Sequence, residues 1–166
     1  MDTTSHRTPI VCVLAGILAL VVALLVLPEP ASAAPPIPPG TYTVEGACDF
    51  PVLIEATGKY GSKELPGGRV LVIKPGFRAT LTNLEDPTHK VTYVASGVWH
   101  QRENFGPGGG DVVVATGRNL LVDPGFGIFL TIGRYTFISD ASDPIFANIT
   151  QLEGHGRIID VCARLS

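Results

Sequence analysis

Seven consecutive residues, Trp99-His100-Gln101-Arg102-Glu103-Asn104-Phe105, hold the densest run of ligand-contacting side chain types in this chain, including its one tryptophan. Aromatic planes beside an arginine fork and an imidazole suit recognition. A ring can stack on a sugar or anchor a partner's side chain, while the guanidinium grips an anionic oxygen. The stretch leads into the glycine-rich segment 106–110, so Trp99, His100, Arg102 and Phe105 are the candidate ligand-binding residues at a loop mouth. The competing role for Trp99 is to plug the core of a β-sandwich.

A second constellation, Ser139-Asp140-Ala141-Ser142-Asp143-Pro144, offers Asp140 and Asp143 as weak calcium candidates. Its spacing matches no EF-hand loop, and aspartates before proline ordinarily cap turns. His89, His100 and His155 show no paired spacing, so no metal and no other cofactor is predicted. Glu45, Glu55, Glu64, Glu85, Asp111 and Asp123 could supply the two carboxylates of a hydrolase, but spacing in sequence does not select a pair. Nucleophile-elbow, zinc-protease, phosphate-loop and dinucleotide fingerprints are missing from the sequence. The glycines at 106–110 follow Phe105 and precede a strand, which leaves no helix N-terminus for a phosphate.

The most specific chemistry is a cysteine pair. Cys12 falls inside an apolar run at 10–27, flanked by Arg7 and by Pro28-Glu29-Pro30 and followed by Ala31-Ser32-Ala33. That pattern reads as an N-terminal signal helix within a signal peptide spanning 1–33, cleaved between Ala33 and Ala34. The alternative is a retained anchor, since 18 apolar residues span roughly 27 Å. Cleavage leaves Cys48 and Cys162, which are expected to form a disulfide in an oxidising compartment. The parity of the last strand is ambiguous at Cys162, which places the bridge at an edge or between layers.

Cleavage also removes Asp2, Arg7 and Glu29 from 12 basic and 15 acidic residues, leaving 11 and 13 and a net charge of −2. Such a balance argues against nucleic acid as a partner. A proline-rich arm follows at 34–40 and reads as extended. It leads into a domain at 41–166.

Positioning falls to β-strands. Period-two alternation marks 77–82, 89–93, 128–132 and 145–149, and Gly or Pro turn signals recur between runs. The unalternating runs 70–73 and 112–115 are expected to be strands buried on both faces. Further strands are expected at 42–45, 50–56, 98–101, 119–122, 135–138 and 157–163. Apolar parity slips from Ile128, Leu130 and Ile132 to Tyr135 and Phe137, which predicts a β-bulge or corner at Gly133. The fold class is all-β: a single β-sandwich, or a Greek-key barrel-like domain, of about ten strands with minimal helix.

The segments Ala115-Thr116-Gly117-Arg118-Asn119-Leu120-Leu121-Val122-Asp123-Pro124, Phe129-Leu130-Thr131-Ile132-Gly133-Arg134 and Ile159-Asp160-Val161-Cys162 resemble a group of small uncharacterised secreted all-β proteins of GC-rich Gram-positive, actinobacterial-type bacteria. The resemblance covers 48–166, implies export, and carries over no catalytic residue. The expected function is a non-enzymatic binding or structural module at the cell envelope or in the extracellular space. Its partner would be a glycan or envelope protein, and it would meet a membrane only through an uncleaved signal segment. The alternatives are a secreted hydrolase built from scattered carboxylates and histidines, and a signal-anchored envelope protein.

Overall fold

The computed structural model describes residues 38–139 and 149–166. The signal segment 1–33, its cleavage position at Ala33 and Ala34, arm residues 34–37, the calcium candidates Asp140 and Asp143, and most of the strand expected at 145–149 lie outside them.

The domain is an all-β sandwich with ten strands: β1 (Gly40–Val44), β2 (Val52–Thr57), β3 (Gly61–Leu65), β4 (Arg69–Ile73), β5 (Arg78–Asn83), β6 (Lys90–Val94), β7 (Val98–Arg102), β8 (Asp111–Asp123), β9 (Gly127–Ser139) and β10 (Ile149–Asp160). A helical turn, Cys162–Leu165, ends the chain. One sheet has the order β1-β2-β5-β6 and the other β10-β9-β8-β7-β4-β3, and all the pairings are antiparallel.

Alternation explains the larger core. Val52, Ile54 and Ala56 of β2 share a face with Ala79 and Leu81 of β5, and they pack with Phe77 against Leu120, Val122, Ile128 and Leu130 of the second sheet. Val161 and Leu165 close the end of this core. Burying side chains of this size is worth about 1.5–3 kcal/mol each. A separate cluster of Val70, Val72, Trp99, Val113, Ala115, Leu121, Phe137 and Ile149 lies on the six-stranded sheet alone.

β8 serves both clusters from opposite faces. Its odd residues Val113, Ala115 and Leu121 enter the second cluster, and its even residues Leu120 and Val122 enter the first. The parity slip in β9 has the same origin. β8 and β9 pair without a register shift from Asp111↔Ser139 to Asp123↔Gly127, so Gly133 is not a bulge. It is a corner instead. Gly117 pairs with Gly133, and Gly133 with Gly156, in a row across three strands at φ of +84°, +138° and +137°. A Cβ on Gly133 would collide with the carbonyl oxygen of His155, and one on Gly156 with that of Ile132.

The bend is large. Ile149 pairs with Ser139, which itself pairs with Asp111 at one end of β8, yet the Ile149 N–H donates to the carboxylate of Asp123 at the other end. Straight strands of 13 residues would hold those ends about 40 Å apart. The hairpin must therefore turn back on itself, and the glycine row is where side chains leave room for that.

Three expectations about strands need correction. The runs 112–115 and 119–122 form one strand, because Gly117 continues the ladder instead of breaking it. β3 was not anticipated: its sequence Gly-Ser-Lys-Glu-Leu has no apolar alternation, and only pairing to β4 makes it a strand. The last strand stops at Asp160, and Cys162 opens the helical turn.

Candidate functional site

The strands expected to be buried on both faces are covered on one. Val70, Val72, Val113 and Ala115 are buried, whereas Leu71, Val112 and Val114 are partly open and Ile73 is exposed. Both strands are central in their sheet, but nothing among the described residues packs over this half of its outer face. The apolar second face thus becomes a groove floor.

Cross-strand register sets the composition of that outer face. One row runs Leu65, Arg69, Arg102, Val112; the next runs Lys63, Leu71, His100, Val114; a third runs Gly61, Ile73, Val98, Thr116. Across β3, β4, β7 and β8 this face carries Lys63, Arg69, Arg102 and His100 and not one aspartate or glutamate. Leu65, Arg69, His100, Arg102, Val112 and Val114 line a shallow groove of about 200 Å3 there.

The arginines are free to receive an anion. Among the described residues the one ion pair is Lys90 Nζ to Glu55 Oε2 at 3.6 Å, which lies on the other sheet. Arg69 donates from Nε to the Pro66 carbonyl at 3.0 Å, which fixes its stem. The Arg102 guanidinium lies 3.5 Å from the centroid of the Phe105 ring, and Phe105 is 62% exposed. Arg69 and Arg102 are direct cross-strand partners, and like charges so placed repel each other. An anion bridging them would turn that cost into charge-assisted hydrogen bonds.

Phe105 is presented by a buried network beneath it. Asp111, 4% exposed, accepts the Gln101 side-chain amide at 2.7 Å and the Asn104 backbone N–H at 2.8 Å. Asn104 takes a positive φ of 54°, a conformation asparagine tolerates, and this turns the chain so that Phe105 lies over Arg102. Asp111 is thus a structural carboxylate. Asp123 is another, accepting the N–H groups of Gly125 and Phe126 as well as that of Ile149.

His100, Arg102 and Phe105 of the anticipated ligand set come together on this face, and Trp99 does not. As the intervening odd residue of β7 it points to the opposite side, is 5% exposed, packs edge-on against Phe137 and donates its indole N–H to Asn119 Oδ1 at 2.8 Å. Tryptophan is the core plug of the second cluster. Lys63, Arg69 and the valine floor were missed, since only long-range register brings them to Arg102.

The other candidates are dispersed. His89 Nδ1 sits 3.1 Å from the Leu165 carbonyl, His100 is on the groove and His155 is on β10. Among the described residues no three His, Cys, Asp or Glu side chains converge as a metal cluster would. Cys48 and Cys162 are joined by a disulfide across 114 positions, with a Cα separation of 5.5 Å. It ties the β1–β2 connection to the terminal helical turn at the margin of the larger core.

No family model, curated protein or solved structure matches the chain. The reading of the face therefore rests on its own chemistry.

Proposed function

We propose that this is an exported, non-enzymatic binding module, acting at the cell envelope or in the extracellular space, and that its ligand is an anionic glycan held on the outer face of β3, β4, β7 and β8. The observation that carries the reading is an acid-free face bearing Lys63, Arg69, His100 and Arg102 in a chain of net charge −3. The Arg69–Arg102 pair supplies two adjacent forks for carboxylate or sulfate oxygens. Phe105 and the Val112–Val114 floor supply the flat apolar surface on which a sugar ring stacks. Export is supported by the apolar segment at 10–27 ahead of Ala31-Ser32-Ala33, by the disulfide, and by the resemblance to small secreted proteins. A binding role is favoured over hydrolysis because Asp111 and Asp123, the two buried carboxylates among the described residues, are engaged with backbone and amide donors.

Titration with a uronic-acid oligosaccharide, its carboxyl-reduced neutral counterpart and polyglutamate tests this. Binding of the acidic sugar alone is expected, with a loss of about tenfold or more for Arg69→Ala or Arg102→Ala, in line with roughly 1.5–3 kcal/mol per charge-assisted bond. Equal binding of the neutral sugar, or no effect of either substitution, contradicts the reading. Binding of polyglutamate as tightly as the sugar points to an acidic protein partner instead.

A further inference from the structure

Of the four sheet edges, three are short: β1, β6 and β3 have five residues each. The fourth, β10, has 12 residues, and its outer side has no pairing strand among the described residues. Long unpaired edges offer a ready ladder of N–H and C=O groups, and proteins that stay monomeric usually shorten, cover or interrupt them.

We propose that β10 pairs with β10 of a second copy of this chain, antiparallel and in the register that sets His155 opposite the second copy's own His155. Paired residues must lie on the same face of the continued sheet, so only registers joining residues of like parity are available. Among those, the one centred on His155 sets Glu153 opposite Arg157 twice, and registers centred on Glu153 or Arg157 would oppose like charges instead. It also sets Leu152 opposite Ile158. Leu152 is partly buried against the second cluster, and Ile158 is 46% exposed as the chain stands alone, so pairing covers an apolar side chain that is half open to solvent. The register engages the regular part of the strand, Gln151 to Ile159, and leaves outside it the irregularity at Thr150, where the β9–β10 register shifts. Glu153 is already oriented, its Oε1 accepting the Gln151 side-chain amide at 2.6 Å.

Such a pair has its two-fold axis normal to the sheet. Both acid-free faces then lie on the same side, which, on the functional reading above, presents two sites to one polymeric ligand.

The test is the molar mass in solution of protein expressed from the full chain, by light scattering behind size exclusion across a concentration series, with far-ultraviolet circular dichroism confirming the fold of each variant. The native chain is expected at twice its monomer mass, Glu153→Arg and Arg157→Glu each at monomer mass or with association weakened about tenfold or more, and the double exchange back at dimer mass. A native chain that is monomeric throughout the series overturns the proposal. So does a dimer indifferent to both single changes, or one that the double exchange fails to restore. None of these outcomes depends on whether a glycan binds.

Discussion

Lys74 is the most unusual single residue. It is 2% exposed, has no carboxylate within ion-pair distance among the described residues, and holds its Nζ 4.7 Å from the Trp99 ring centroid and 5.7 Å from that of Phe77. Burial lowers its pKa from 10.5 to about 7, and the aromatic faces offset part of that by favouring the cation. The unfolded chain therefore binds more protons between pH 7 and 10.5, so stability rises with pH across this window and the full cost is present below it. Lys74→Met should stabilise the domain by on the order of 3 kcal/mol at pH 6, with the gain fading toward pH 10, as measured by urea unfolding at several pH values. A gain independent of pH would mean that packing, not charge, is responsible. The neighbouring Trp99–Asn119 bond is tested by Trp99→Phe, which leaves the fully buried Asn119 Oδ1 without its donor and should cost about 1–3 kcal/mol beyond the lost ring area. Residue types alone marked Trp99 as either ligand platform or core plug. Its place as an odd residue of β7, between even neighbours that face solvent, decides for the plug.

At the scale of elements, the sequence declared strands well and their joins poorly. Alternation located β5, β6 and the first half of β9, and unbroken apolar runs located β4 and the first half of β8. Gly117 fell between two separately expected strands when it is a continuation, since a glycine that lets a ladder bend looks the same in sequence as one that ends it; at Gly133 the parity slip pointed to a bulge or corner, and it is the corner. β3 and the middle of β10 were invisible, their polar sequences carrying no periodicity. The glycine row makes a direct prediction: alanine at an ordinary strand glycine stabilises by about 0.5–1 kcal/mol, whereas Gly133→Ala meets the His155 carbonyl at a positive φ and should destabilise by about 1–3 kcal/mol, with a depressed melting temperature as the readout. The disulfide is a second element-scale device. Replacing Cys48 and Cys162 together with alanine should cost up to about 4–5 kcal/mol by chain entropy. Asn83, whose Nδ2 donates to the Leu165 carbonyl at 3.0 Å, His89 at 3.1 Å from the same oxygen, and the buried Val161 and Leu165 still tether the terminal turn, so loss of the disulfide alone should not open the C-terminus to proteolysis.

For the whole molecule, charge distribution matters more than net charge. A chain of net charge −3 argues against a polyanionic partner when its charges are averaged, yet register gathers cations on one half of a sheet and leaves acids off it. His100, Arg102 and Phe105 were legible as a local cluster. Arg69 and Lys63 were not, because they meet the cluster only through pairings between β3, β4 and β7. The same separation explains why runs 70–73 and 112–115 looked buried on both faces: an apolar strand face left open has the composition of one that meets a core. The most direct test of the account follows the backbone amides of isotopically labelled protein by two-dimensional NMR during titration with the uronic-acid oligosaccharide. Shifts confined to β4, β7, β8 and the loop at Asn104 and Phe105, and abolished by Arg102→Ala, are predicted. Saturable shifts centred elsewhere, with this face unmoved, would contradict it.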